Sequence, residues 1–228
     1  MIVLSNSVSP RILAVGAHPD DIELGAAGFI ARMRRECKAE IYFAILTYGT
    51  LHWQNGKAFK PDTRVNEATK AFARLLGIHP RSAAKRLRFG GFADCGLGNA
   101  RHKPIRFLER VIADVQPTMI LTHAPGDIHD DHRQAHNATL SAARQFHGCI
   151  LLYQSTSTIP NEFGPNFFVA LSDEDFQVKM EALERHSSQQ AKDFMSQTRV
   201  SKMAEAWAAF HRTDESKLEA FVLHKSFW

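Results

Sequence analysis

Apolar positions along this chain alternate between two rhythms. Residues 11–17 (RILAVGA) and 39–48 (AEIYFAILTY) are short apolar runs, the mark of strands buried on both faces. Between them Ile22, Ala26, Phe29, Ile30 and Met33 recur at helical spacing behind Pro19, a residue well suited to a helix start. Such a β-α-β unit implies parallel pairing through a right-handed crossover. The alternation then persists. A helix is expected over 63–76 with Gly77 as its C-cap, then a strand over 85–89. A helix carrying Ile105, Leu108, Ile112 and Val115 stops before Pro117, and strands follow at 118–122, 150–154 and 167–171 around a helix at 132–146. Ser172 opens an S-x-x-D capping pattern ahead of Phe176, Met180 and Leu183. A helix near 201–210 and an edge strand at 218–223 close the chain. The expected long loops are 49–61, 90–104 and 123–131. No repeat or linker-like break interrupts the pattern, so it reads as one domain over 1–228. The fold class expected is α/β, a Rossmann-like open, mostly parallel sheet with helices on both faces.

Composition narrows this reading without redirecting it. Among 228 residues, 44% are apolar and 23% charged, ordinary for a globular chain and unlike a disordered, collagen-like or coiled-coil one. The net charge of +4 and pI near 9.1 would suit anionic partners. The basic residues are scattered, however, and no nucleic-acid module accompanies them, so no nucleic-acid partner is expected. Cys37, Cys95 and Cys149 form no C-x-x-C pair, which argues against a disulfide framework or a cysteine-zinc site. No apolar run reaches the length of a membrane span, and the first residues lack the pattern of a signal peptide. A cytoplasmic protein without a membrane partner is expected.

In sheets of this kind ligands bind outside the carboxyl ends of the strands. The first strand is followed by His18-Pro19-Asp20-Asp21-Ile22-Glu23, where a dinucleotide fingerprint would need glycines. Adjacent aspartates repel unless a cation or donors compensate. A helix N-terminus supplies part of that compensation, so plain capping competes with metal binding here. A second cluster follows the strand at 118–122, with His123, His129, His132 and His136 close together beside Asp127, Asp130 and Asp131. Both loops lie on one edge of a parallel sheet, so His18 and Asp21 can converge with His132. That nitrogen and oxygen set suits zinc and leaves a position open for water, as catalytic sites do. His132 and His136 have zincin spacing, but Arg133 stands where the zincin glutamate is needed. His136 is read as packing beneath the site, and His123 as a strand-end histidine bonding a neighbouring loop.

Other polar residues carry weaker signals. Arg64 by itself reads as a helix-surface partner of Glu67. Asp94, in FADCGL, is equally a turn former or a polar substrate contact. Tyr48 and His52 begin the loop after the second strand, where Tyr48, Trp53 and Phe59 would stack on a sugar ring or anchor the loop. Lys179 and His186 are expected to support the fold.

H-P-D-D-x-E after the first strand, followed by H-x-D-H at residues 129–132, resembles the LmbE-like (PIG-L) family of metal-dependent N-deacetylases. Arg64-x-x-Glu67 and the Ala182-Leu183…His186-Ser187-Ser188-Gln189 segment resemble two further family motifs. The similarity covers most of residues 11–190 and leaves the last forty unplaced. One departure is Gly25-Ala26-Ala27-Gly28, where members often carry a Gly-Cys-Gly-Gly-type stretch. The resemblance implies a hydrolase that removes an N-acetyl group from an amino sugar or related acetamido compound with Zn2+, or another divalent metal such as Fe2+. It makes His18, Asp21 and His132 the metal ligands and Asp20 the general base. His129 with Asp131 becomes a charge-assisted pair for the oxyanion or leaving amine, and Arg64 a substrate contact. The expected partner is a small N-acetylated sugar or conjugate, with homo-oligomerisation left open. The alternatives are a hydrolase of a non-sugar amide or other bond, and a non-catalytic metal- or sugar-binding protein.

Overall fold

The first apolar run folds as β1 (Arg11–Gly16), every residue of it buried after Arg11, in a computed structural model that describes residues 9–51, 58–100, 102–211 and 214–226. Helix α1 (Asp21–Cys37) crosses over to β2 (Glu40–Thr47), which pairs in parallel with β1, Arg11 opposite Glu40 and Gly16 opposite Ile45. Helices α2 (Pro61–Leu76) and α3 (Pro80–Ala84) lead to β3 (Leu87–Phe92), the parallel neighbour of β2 on the far side. Pro61 starts α2, and Gly77 ends it with the left-handed backbone, φ 61°, expected of a C-cap.

Through α4 (Lys103–Val115) the chain returns to the other side of β1 as β4 (Met119–His123), and α5 (Asp130–Ala142) carries it on to β5 (Cys149–Tyr153). The remaining elements are β6 (Phe167–Ala170), α6 (Asp173–Leu183), α7 (Gln197–Phe210) and β7 (Leu218–Lys225). The strand order is β3-β2-β1-β4-β5-β7-β6, parallel from β3 to β5, with β7 antiparallel to both of its neighbours. The last strand is therefore internal, not the edge strand its position suggested; β6 takes the edge. Ser172 forms the expected capping box with Asp175 at the start of α6.

Two apolar layers cover the sheet. One holds Ile22, Phe29, Phe72 and Leu183 from α1, α2 and α6. The other holds Leu108, Val111, Ala135 and Ala138 from α4 and α5. Strand order reverses at β1, since β2 lies on one side of it and β4 on the other. The loops leaving β1 and β4 thus face each other at the topological switch point, where α/β sheets form ligand crevices.

Candidate functional site

Both histidine-aspartate loops meet at this crevice, and the backbone explains how. The chain leaves β1 through Ala17, whose carbonyl accepts bonds from the amide (2.9 Å) and hydroxyl (3.0 Å) of Thr47. It then turns sharply at Asp20, where φ is 121°. A non-glycine residue there carries backbone strain, the kind that persists only when its surroundings hold it. Arg64 does the holding. It is 1% exposed, and its guanidinium donates to the Pro19 carbonyl, to Asp20 Oδ2 at 3.1 Å and to Glu67 Oε2 at 2.9 Å. Gly49 allows the next loop to pass, because a Cβ there would lie 2.9 Å from Pro19 Cδ.

Three potential ligands converge on this turn. Asp21 Oδ2 lies 3.4 Å from His18 Nδ1, and Asp21 Oδ1 lies 3.3 Å from His132 Nε2. Metal bonds of about 2.0–2.2 Å in a tetrahedral site set ligand atoms roughly 3.3–3.6 Å apart, so these donors fit a cation with little movement. The other ring nitrogen of each histidine meets a second carboxylate, His18 Nε2 with Asp131 Oδ2 at 3.2 Å and His132 Nδ1 with Asp127 Oδ2 at 3.1 Å. Carboxylates in that position fix the tautomer and orientation of metal-binding histidines.

Two rival groupings of neighbouring donors exist, His18-His129-Asp131 and His123-Asp127-His132. Their members have further engagements, as Asp21 does through Oδ2, which accepts from the His18 amide at 2.7 Å. Asp131 accepts from the amides of Cys95 (2.6 Å) and Leu97 (3.2 Å), and His129 Nδ1 accepts from the amide of Asp131 at 3.2 Å. Asp127 accepts from the His129 amide and from the hydroxyls of Ser155 and Ser157. His123 Nε2 accepts from the Ala17 amide at 3.1 Å.

The electrostatics match a cation-seeking site. Burial alone would lower the pKa of His18, but hydrogen bonds and charge from Asp131 and Asp21 outweigh it and raise the value to about 10. Burial likewise opposes charge on His132, yet Asp21 and Asp127 raise it to about 9. The carboxylates of Asp21 and Asp127 are held well below their usual range, against the effect of burial, chiefly by His132. Buried carboxylates here draw positive charge onto imidazoles, a demand that a divalent cation would also meet.

Several expected roles change. Asp131 does not clamp His129 as a charged pair, because its oxygens face His18 and two backbone amides. His129 instead caps α5 through an unprotonated Nδ1. Its pKa is lowered, first by burial and then by the charges of His18 and His132, the direction opposite to the one expected from pairing with Asp131. Arg64, expected at the substrate, is buried behind Asp20. Asp94 spends its carboxylate on the amides of Gly49, Thr50 and Leu51, and Tyr48 stacks on Phe89 at 5.3 Å. Asp94 therefore shapes the loop after β2, while Tyr48 is half-buried there with one ring face against Phe89. His52 and Trp53 lie outside the described residues. His136 packs beneath the site as expected, with Nδ1 bonded to the His123 carbonyl at 2.8 Å. Asp127, named in the sequence cluster without a role, is the carboxylate that meets His132. Ser155 and Ser157 gave no sequence signal at all.

The two remaining motifs support this turn from behind. Glu67 accepts from the hydroxyls of Ser187 and Ser188 and the amide of Ser188. His186 Nε2 meets Glu23 Oε1 at 2.7 Å in full burial. Segments far apart in sequence thus close on one another around Asp20 and Asp21.

Comparison with known proteins agrees with this arrangement. The sequence profile of one protein family, PIG-L, described as GlcNAc-PI de-N-acetylase, matches residues 13–143. The chain is 32% identical over 182 residues to the uncharacterized deacetylase YaiS of Escherichia coli (strain K12), covering 78% of this chain and 90% of that one. It is 31% identical over 157 residues to the 1D-myo-inositol 2-acetamido-2-deoxy-alpha-D-glucopyranoside deacetylase of Rhodococcus opacus (strain B4), covering 58% of this chain but only 52% of that relative. Among solved structures, N,N'-diacetylchitobiose deacetylase from Pyrococcus horikoshii superposes with a TM-score of 0.75 at 20% identity, covering 96% of this chain and 86% of that one. The 4-carboxy-2-hydroxymuconate hydratase GalB from Pseudomonas putida KT2440 superposes with a TM-score of 0.73 at 18% identity, over 96% and 98% of the two chains. At such identities the likeness establishes the fold alone, which here serves two different chemistries.

Proposed function

The chain belongs to the PIG-L family of de-N-acetylases, and from that premise we propose that it hydrolyses the N-acetyl group of an amino sugar or amino-sugar conjugate at a divalent metal centre. The observation that carries this reading is the meeting of His18, Asp21 and His132 from two loops, with Asp20 beside them and in none of the donor groupings. The relatives named for an acetamido-deoxy-glucopyranoside and diacetylchitobiose support a sugar as the amine component.

His18, Asp21 and His132 would hold the cation, with zinc the choice best suited to two imidazoles and a carboxylate. When bound, such an ion polarises an amide carbonyl and acidifies water. The chain's own groups do the rest. Asp20, anchored by Arg64, takes the proton of the attacking water. His129 has its Nδ1 occupied as a cap acceptor, so its Nε2–H is the donor available to the developing oxyanion. As the C–N bond breaks, the nitrogen takes up a proton and leaves as the amine, and the acyl carbon keeps the water oxygen as acetate. Asp127 and Asp131 keep His132 and His18 aimed throughout.

A screen of N-acetylated sugars, free and conjugated, for acetate released with and without chelator tests this function. Chelator-sensitive release from an amino sugar is expected. Release from none of them by metal-loaded protein would remove the reading.

A further inference from the structure

Beside the metal-ligand cluster lies a cavity of about 80 Å3 between α1, α7 and the start of β7. We propose that it is a second substrate subsite, taking the aliphatic tail of an N-acyl group longer than acetyl. The inference rests on the reading above that the chain cleaves an N-acyl amide.

Position comes first. Because β7 runs antiparallel to β5, its first residues, Leu218 to Ala220, lie beside the carboxyl end of β5, the edge that carries the cluster. The cavity starts at Leu24 and Gly25, one helical turn, about 5.4 Å, beyond Asp20 and Asp21. It shares one wall with the site. Ser155 lines it and bonds Asp127, the carboxylate that orients His132. Phe194 also lines it, beneath the Lys192 ammonium at 5.4 Å. Burial lowers the pKa of that lysine, and the charge of Asp20 opposes the shift. The cavity is thus joined to the proposed ligand cluster through Ser155 and Asp127.

Chemistry and size select the occupant. Leu24, Phe194, Val200, Met203, Trp207 and Leu218 form apolar walls. Lys179 and Glu219 also line the cavity, but their charges are spent on each other at 2.7 Å. Lys179 also donates to the Leu24 carbonyl, and Glu219 accepts from the amides of Gly28 and Phe29. Arg199 at the rim pairs with Asp193, so each charged group that lines the cavity has a partner, beside the polar Gln154 and Thr156. An apolar cavity that binds benzene measures about 150 Å3. This one, near 80 Å3, is smaller, which suits a short aliphatic chain better than a ring. On the substrate class proposed, the acyl side supplies such a chain. The assignment also gives α7 and β7, beyond the reach of the recognised motifs, a part in specificity.

The test compares N-acetyl-, N-butanoyl- and N-hexanoyl-glucosamine with the metal-loaded full chain, reading released carboxylate. Burying each added methylene should raise kcat/KM about fourfold until the cavity is full. Ala204→Leu, which fills the cavity, should abolish the advantage of the longer chains. Met203→Ala, at a position 46% exposed and so tolerant of truncation, should move the optimum to a longer chain. A flat or falling series, or a gain that follows alkyl glycosides of N-acetylglucosamine instead, overturns the proposal. Independently of turnover, hexanamide should change the fluorescence of Trp207, a change absent from Trp207→Phe and Ala204→Leu. Failure to cleave any acyl sugar would count against the proposed function; failure to bind hexanamide would count against the cavity.

Discussion

Each histidine of the proposed ligand pair has two carboxylates, one beside the nitrogen that would face the metal and one behind it. This makes Asp127 and Asp131 the residues that decide how His132 and His18 point. Asp127→Asn and Asp131→Asn should each weaken metal binding roughly 10–100-fold, measured by competition with a chromogenic chelator. Unchanged affinity in Asp131→Asn would return that carboxylate to His129. Asp20 stands apart, held by Arg64 at 3.1 Å. Asp20→Asn should retain stoichiometric metal and lose about 10²–10⁴-fold in kcat, as removal of a general base does. Loss of metal together with activity would show that the neighbouring aspartates are exchanged. The ligand-type residues were legible in the sequence because imidazole and carboxylate gather at two strand ends. The partnership of Asp131 was not, because nearness in sequence to His129 does not say which way a side chain on a helix turns.

At the scale of elements, α1 follows directly on the turn at Asp20 and depends on how closely it packs. A Cβ at Gly25 would fall 2.2 Å from the Tyr153 ring, whose hydroxyl bonds the Val15 carbonyl at 2.8 Å. Gly25→Ala should therefore lower stability by about 1–3 kcal/mol, the usual cost of overpacking, read as a fall in Tm. No fall would mean that α1 can slide on β5. Helix α6 is joined to α1 by Arg35, which bonds the Asp175 carboxylate at 2.7 Å. Burial alone would raise the Asp175 pKa, but bonds from Arg35 and Ser172 outweigh it and hold it below the ordinary value. The sign follows directly. This stabilisation is present above the unfolded carboxylate pKa and is lost as pH falls through the lower folded one. Asp175→Asn should flatten the acid side of the stability profile below about pH 4, as measured by urea titration. Equal slopes in both proteins would exclude Asp175 as a source.

For the whole molecule, metal binding at the buried histidine-carboxylate cluster, as proposed, would be coupled to folding. A cation that binds only the folded chain, present at a hundred times its Kd, adds about 2.7 kcal/mol. For a chain of this size that corresponds to roughly 5–11 °C in Tm. Calorimetry before and after dialysis against chelator should find a fall of that order, reversed by adding metal back. An unchanged Tm would separate the cluster from metal binding. The architecture also explains why distant motifs act together. Arg64-x-x-Glu67 from α2 and His186-Ser187-Ser188 after α6 close on the turn from the side opposite the α5 loop.

The sequence by itself determined the alternation of elements, the open mostly parallel sheet, the family and the residue types at two strand ends. These follow from local periodicity and from the rule that loops after parallel strands share an edge. Tertiary structure alone decided the rest. It placed β7 between β5 and β6, since antiparallel insertion depends on long-range pairing that no local pattern encodes. It buried Arg64, because the exposure of a helix face depends on what packs against it. It moved Asp131 from His129 to His18 and brought in Ser155 and Ser157 to hold Asp127. Those choices rest on side-chain direction and on contacts between segments dozens of residues apart, which a linear spacing does not specify.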